Sequence, residues 1–133
     1  MSQMTRWFQE GGFAMFPILL LGVVGLVGTI AGLAIGLSSR RRGTPLAFGA
    51  GLLAVAVLCV GIGGASYLMA EMKIDAALVA VAPEMRDELR TVGRAEARVA
   101  LTFGGGAAAL PAIGGLLLVA LGLARGRDPA AGA

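Results

Sequence analysis

Gly11-Gly12-Phe13-Ala14-Met15-Phe16-Pro17-Ile18-Leu19-Leu20 opens an apolar run that meets no charge until Arg40. A bilayer core takes about 20 apolar residues as helix, and this run is longer. Burying a charge at that depth is costly, so a charge-free run of this length belongs in a membrane rather than in a soluble core.

The composition agrees. Of 133 residues, 57% are hydrophobic and 14% charged, whereas soluble domains carry about 25% charged residues. The length suits one small bundle. There is no histidine, and the one cysteine, Cys59, lies inside an apolar segment. That excludes an internal disulfide framework and a Cys-based zinc site, and no cofactor is implied. The pI near 10.0 comes mostly from arginine. Those arginines cluster beside apolar segments, which suits phospholipid headgroups and not nucleic acid. The first run exceeds the apolar core of about 7–15 residues of a cleaved signal peptide.

The expected fold is all-α, a polytopic membrane protein with three transmembrane helices. Residues 1–11 form an N-terminal segment, 12–38 span one, 39–45 a short basic loop and 46–70 span two. Residues 71–98 form a charged helical hairpin outside the bilayer, continuing spans two and three. Span three covers 99–124 and a disordered tail 125–133. No sheet is expected, because hydrocarbon leaves strand edges unsatisfied and three spans cannot close a barrel.

Within 71–98, Pro83 followed by Glu84, Asp87 and Glu88 reads as a helix start, with acids near the positive end of the dipole. Met85, Leu89 and Val92 make one apolar stripe, and the hairpin turns near 81–83. Arg40, Arg41, Arg42, Arg125 and Arg127 crowd one membrane face. Arg6, Lys73, Arg86, Arg90, Arg94 and Arg98 lie on the other. A raw count favours the second face as cytoplasmic, whereas the triple arginine abuts two span ends and favours the first.

No acid, base or lysine lies deep in any span. A proton-relaying transporter needs ionisable groups at that depth. No nucleophile-plus-base pair appears, and Gly104-Gly105-Gly106 lacks the lysine of a phosphate loop, so no enzyme is expected. Gly28, Gly32 and Gly36 repeat every fourth residue, with Gly25 nearby, and let helix backbones approach, either within the chain or between subunits. Arg86, Arg90, Arg94 and Arg98 form one cationic stripe. Local acids such as Asp87, water and headgroups neutralise it, or it makes a basic collar or a docking face for an acidic partner. The span hydroxyls Thr29, Ser66 and Thr102 bond back to a carbonyl one turn earlier, unless a pore uses Thr102.

The opening stretch resembles the first-span signature of the TolQ/ExbB/MotA proton-channel family: Gly-Gly, aromatics and Met, then Pro-Ile-Leu. Ala95-Glu96-Ala97, Thr102, Gly105 and Leu110-Pro111-Ala112 are similar to that family's last span, with Glu96 one residue too far upstream. The two motifs, 11–20 and 95–112, cover about a fifth of the chain. Ser38-Ser39-Arg40 replaces the family's Glu-Arg, and the large cytoplasmic domain shrinks to a turn. Gly51-Leu52-Leu53 continues into Ala54-Val55 where the family has Gly and Thr.

The resemblance implies a reduced, divergent member in the bacterial inner membrane, N-terminus out. It implies a homo-oligomer, a pentamer, around a single-span ExbD/TolR/MotB-like partner that brings the titrating acid and couples proton flow to mechanical work or transport. Thr102 would line the interior, and Glu96 would stand at the rim or pair with Arg94 or Arg98. Six residues separate Thr102 from Glu96, which is about 600° of rotation, or about 240° net, so the two do not share a helix face. The alternative is a non-conducting three-span accessory subunit of a larger membrane complex.

Overall fold

The computed structural model describes Gln3, Thr5 and residues 15–127. Three helices follow one another: α1 Met15–Ser38, α2 Gly43–Val79 and α3 Pro83–Arg127. No strand occurs among the described residues. Each helix is long and apolar enough to cross a bilayer, and only 22, 28 and 33% of their most apolar windows are buried within the chain. So much outward apolar surface has no place in water, and the chain is built as a multi-pass membrane protein.

Each helix starts where proline is tolerated. Pro17 and Pro45 fall in the first turns of α1 and α2, and Pro83 is the first residue of α3. The missing N–H of proline is one that a first turn leaves without a helical partner. The turn between α1 and α2 is four residues, 39–42, because the helix already begins at Gly43 rather than after Pro45. Helix α3 continues through Arg127, so 125–127 belong to it and not to a tail; positive charge suits a helix C-terminus. Positions 12–14 of span one and 128–133 of the tail lie outside the described residues.

Helices α2 and α3 are joined through 80–82, where Ala80 N–H donates to Ala77 O and Met85 N–H to Ala82 O, both at 3.1 Å. They pack antiparallel along a seam of small residues. Helix α2 buries Pro45, Gly49, Leu52, Ala56, Cys59 and Gly63, in alternating steps of four and three. That spacing holds one face toward the bundle from Pro45 to Gly63, where Gly49, Cys59 and Gly63 meet α3 and Pro45 and Leu52 meet α1. The backbones touch at two levels. A Cβ added to Gly49 would stand 2.8 Å from Gly115 O, and one added to Gly104 would stand 2.8 Å from Cys59 O. Such approaches admit only hydrogen there, which is how apolar helices gain contact in a solvent that gives them no hydrophobic drive.

Helix α1 closes the bundle on the same principle. A Cβ on Gly25 would meet the Pro111 ring at 3.0 Å, on Gly28 Leu52 at 3.1 Å, and on Gly36 Leu118 at 2.7 Å. Pro111 breaks the hydrogen-bond pattern in mid-helix, and its ring sits against the bare face of Gly25. Met15, Ile18, Leu118 and Cys59 are fully buried. The Met85, Leu89 and Val92 stripe is exposed instead, because the contact with α2 runs through Gly93, which lies against Ile74.

Gly49→Ala is expected to lower unfolding free energy by about 1–3 kcal/mol, the scale of overpacking. A Cβ on Gly51 meets nothing described within 4 Å. Gly51→Ala should therefore be neutral or stabilising by up to about 1 kcal/mol through helix propensity. Thermal melts in lipid nanodiscs read both, and equal losses at the two positions would contradict the seam.

Candidate functional site

Depth along the helices fixes where the charged groups stand. Arg98 and Arg125 are 27 residues apart on α3, about 40 Å of helix. That matches a hydrocarbon core plus its polar layers, about 40–45 Å. Arg98 and Arg125 therefore belong to opposite headgroup layers. The first 15 residues of α3 before Arg98 reach about 22 Å further out.

At the Arg125 end, the guanidinium caps α1. It donates to Gly36 O at 2.7 Å, Ser39 O at 2.5 Å and Leu37 O at 3.4 Å. The last carbonyls of a helix have no helical partner, and a cation there also meets the negative end of the dipole. This contact was not readable from the spacing of residues, because it joins positions nearly ninety apart that the fold brings level. Ser39 Oγ further donates to Thr44 Oγ1 at 3.2 Å across the turn.

At the Arg98 end, the four arginines of the stripe divide. Arg86 Nε donates to Val81 O at 3.2 Å in the turn. Arg94 pairs with Glu71 of α2 at 3.5 Å, and Tyr67 hydroxyl donates to the same carboxylate oxygen at 3.0 Å. Both charged side chains are partly solvated, so the pair is worth about 0–1 kcal/mol. Glu96 does not take the role of partner to Arg94 or Arg98. It lies two residues from each, about 200° round the helix, and is exposed. The Arg94–Glu71 pair is the ion pair among the described residues; Asp87 makes none with Arg90.

Arg90, Arg94 and Arg98, with Asp87 and Thr91, line a concavity of about 450 Å³ on α3. An apolar groove of about 540 Å³ continues it toward the membrane centre along Val99, Thr102, Phe103 and Gly106. Ala95 and Arg98 line both.

The span hydroxyls are all bonded to their own helix. Thr29 donates to Gly25 O at 2.6 Å, Ser66 to Ile62 O at 2.7 Å and Thr102 to Arg98 O at 2.8 Å. Thr29 is the buried polar side chain among the described residues, packed on Gly114, whereas Thr102 is exposed on the outer face of α3. Gly28, Gly32 and Gly36 all face residues of their own chain. No cluster of His, Cys, Asp or Glu able to hold a metal occurs among the described residues.

No protein-family model, no curated protein and no solved structure matches the chain. The likeness to the TolQ/ExbB/MotA family therefore rests on its two motifs, and Gly11 to Ala14 of the first lie outside the described residues.

Replacing Arg125 by Met should cost about 1.5–3 kcal/mol, the range for hydrogen bonds to a charged group. The same change at the exposed Arg127 should cost less than about 0.5 kcal/mol. Denaturant titration in lipid-detergent micelles measures both, and equal effects would remove Arg125 as the cap of α1.

Proposed function

We propose that the chain is a non-catalytic structural subunit that packs on another membrane helix within a larger assembly. One observation carries this reading. The outer face of α2 presents Ala50, Ala54, Gly61 and Ala65, all exposed, in steps of four and seven. Nothing described lies within 4 Å of a Cβ added to Gly61. Small residues at that spacing let a foreign helix approach closely. The polar inventory supports the same reading. Ionisable side chains stand only near the helix ends and in the outer parts of α2 and α3, and the span hydroxyls bond their own backbones. Ion relay needs ionisable groups at depth.

The second reading is the TolQ/ExbB/MotA-like ring in the bacterial inner membrane, in which copies surround a single-span partner that supplies the acid. Two features favour it: the paired motifs in the right order, and the position of Thr102 on the open face of α3. In that arrangement Thr102 would turn to the ring interior. The triple arginine beside two span ends supports a cytoplasmic C-terminus in either case.

Mass measurement of the complex extracted directly into nanodiscs tests the proposal. The chain should emerge bound to further copies or to another membrane protein. Gly61→Leu should reduce the assembled fraction about tenfold and leave the melting temperature of the subunit unchanged. A wild-type chain that emerges alone would end the structural-subunit reading. Proton flux that depends on a one-span partner and is lost in Thr102→Val would replace it with the ring.

A further inference from the structure

The two concavities on α3 form one continuous surface with a cationic outer end and an apolar inner end. Arg98 is the hinge between them, lining both, and Ala95 forms the floor they share. Arg98 stands at headgroup depth, because about 40 Å of helix separates it from the arginine in the opposite layer. Arg94 and Arg90 follow at four-residue steps outward on the same stripe. Arg98 and Arg90 have no carboxylate partner among the described residues, and Arg94 shares only Glu71, across an exposed pair. Below them, Val99, Phe103 and Gly106 line a trough that follows the bilayer normal. A Cβ on Gly106 meets nothing described within 4 Å.

We propose that this surface is a binding site for an anionic phospholipid, with the phosphate on Arg98 and Arg94 and one acyl chain along Val99, Phe103 and Gly106. Charge and shape each select that occupant. Guanidinium forks match phosphate oxygens in paired hydrogen bonds, and the bonds are strengthened by charge. A zwitterionic lipid offers the same phosphate but carries a cation that three arginines repel. A free anion would satisfy the arginines and leave the trough empty, whereas a phospholipid fills both ends at the depth where lipids already stand. Asp87 lies at the outer end of the stripe, eleven residues above Arg98 and seven above Arg94, about 16 and 10 Å along the helix, and Glu71 is the carboxylate beside Arg94, so Arg98 is the principal phosphate contact. The residues lining this site all belong to α3, and none of them is on the α2 face of Ala50, Ala54, Gly61 and Ala65.

Native mass spectrometry of the full chain, extracted from equimolar phosphatidylglycerol and phosphatidylcholine vesicles, reads the preference. The wild type should retain phosphatidylglycerol over phosphatidylcholine by about tenfold, the scale of one charge-assisted hydrogen bond. Arg98→Gln should bring the ratio to near one, and Gly106→Trp should reduce total retained lipid by filling the trough. Arg127→Gln, in the other headgroup layer, should leave the ratio as in the wild type. A wild-type ratio near one, or equal loss in Arg127→Gln and Arg98→Gln, would overturn the site. So would a photoreactive residue at Phe103 that cross-links to residues 6–14 of the chain or to a second copy and not to lipid.

Discussion

The backbone contact between α2 and α3 is the constraint on which the rest of the molecule depends. Lipid tails are as apolar as leucine, so two helices in a bilayer gain little by hiding apolar side chains from it. They gain by dispersion contacts, which fall away steeply with distance. Hydrogen at Gly49, Gly63, Gly104 and Gly115 is what lets the two helices meet at backbone distance. Because α2 and α3 are locked in this way, α1 has a firm groove to enter, and it does so with its own glycines against Leu52, Pro111 and Leu118. The cap on α1 then follows: parallel packing of α1 on α3 carries Arg125 to the last carbonyls of α1.

A seam of this kind uses up small residues and leaves the large ones outside. Leu20, Ile30, Val57, Leu116 and many others are exposed, which inverts the arrangement of a soluble bundle. The interior holds almost no polarity, and the hydroxyls within the spans are bonded one turn back. Among the described residues the outward surface of the spans is apolar, and the charged side chains stand toward the helix ends.

The three spans were legible from charge-free length alone, because hydrocarbon thickness dictates a minimum run. The starts of α2 and α3 were legible too, since Pro45 and Pro83 suit a first helical turn. The seam was not. Gly49, Ala56, Cys59 and Gly63 carry little apolar signal, and their four-three spacing is masked by the uniformly apolar residues between them. The fourfold repeat of Gly28, Gly32 and Gly36 stood out, but its alternatives, packing inside the chain or between chains, differ only in three dimensions. Of the arginine stripe, Arg90, Arg94 and Arg98 line one concavity, and the carboxylate that pairs with Arg94 is Glu71 of α2 rather than a neighbour on α3, which no spacing along one helix announces. The trough beside Arg98 arises from Gly106 and from the side chains flanking it, which no linear pattern announces.

Backbone contact at the seam can be observed directly. Glycine-labelled protein in lipid bilayers gives solid-state NMR correlations between Cα carbons closer than about 5 Å, a distance that only bare helix faces reach across an interface. The account predicts cross-peaks joining Gly63 to Gly104 and Gly49 to Gly115, with none joining Gly61 or Gly51 to any glycine of α3. Absence of the first two, or their replacement by contacts of Gly61 with α3, would contradict it.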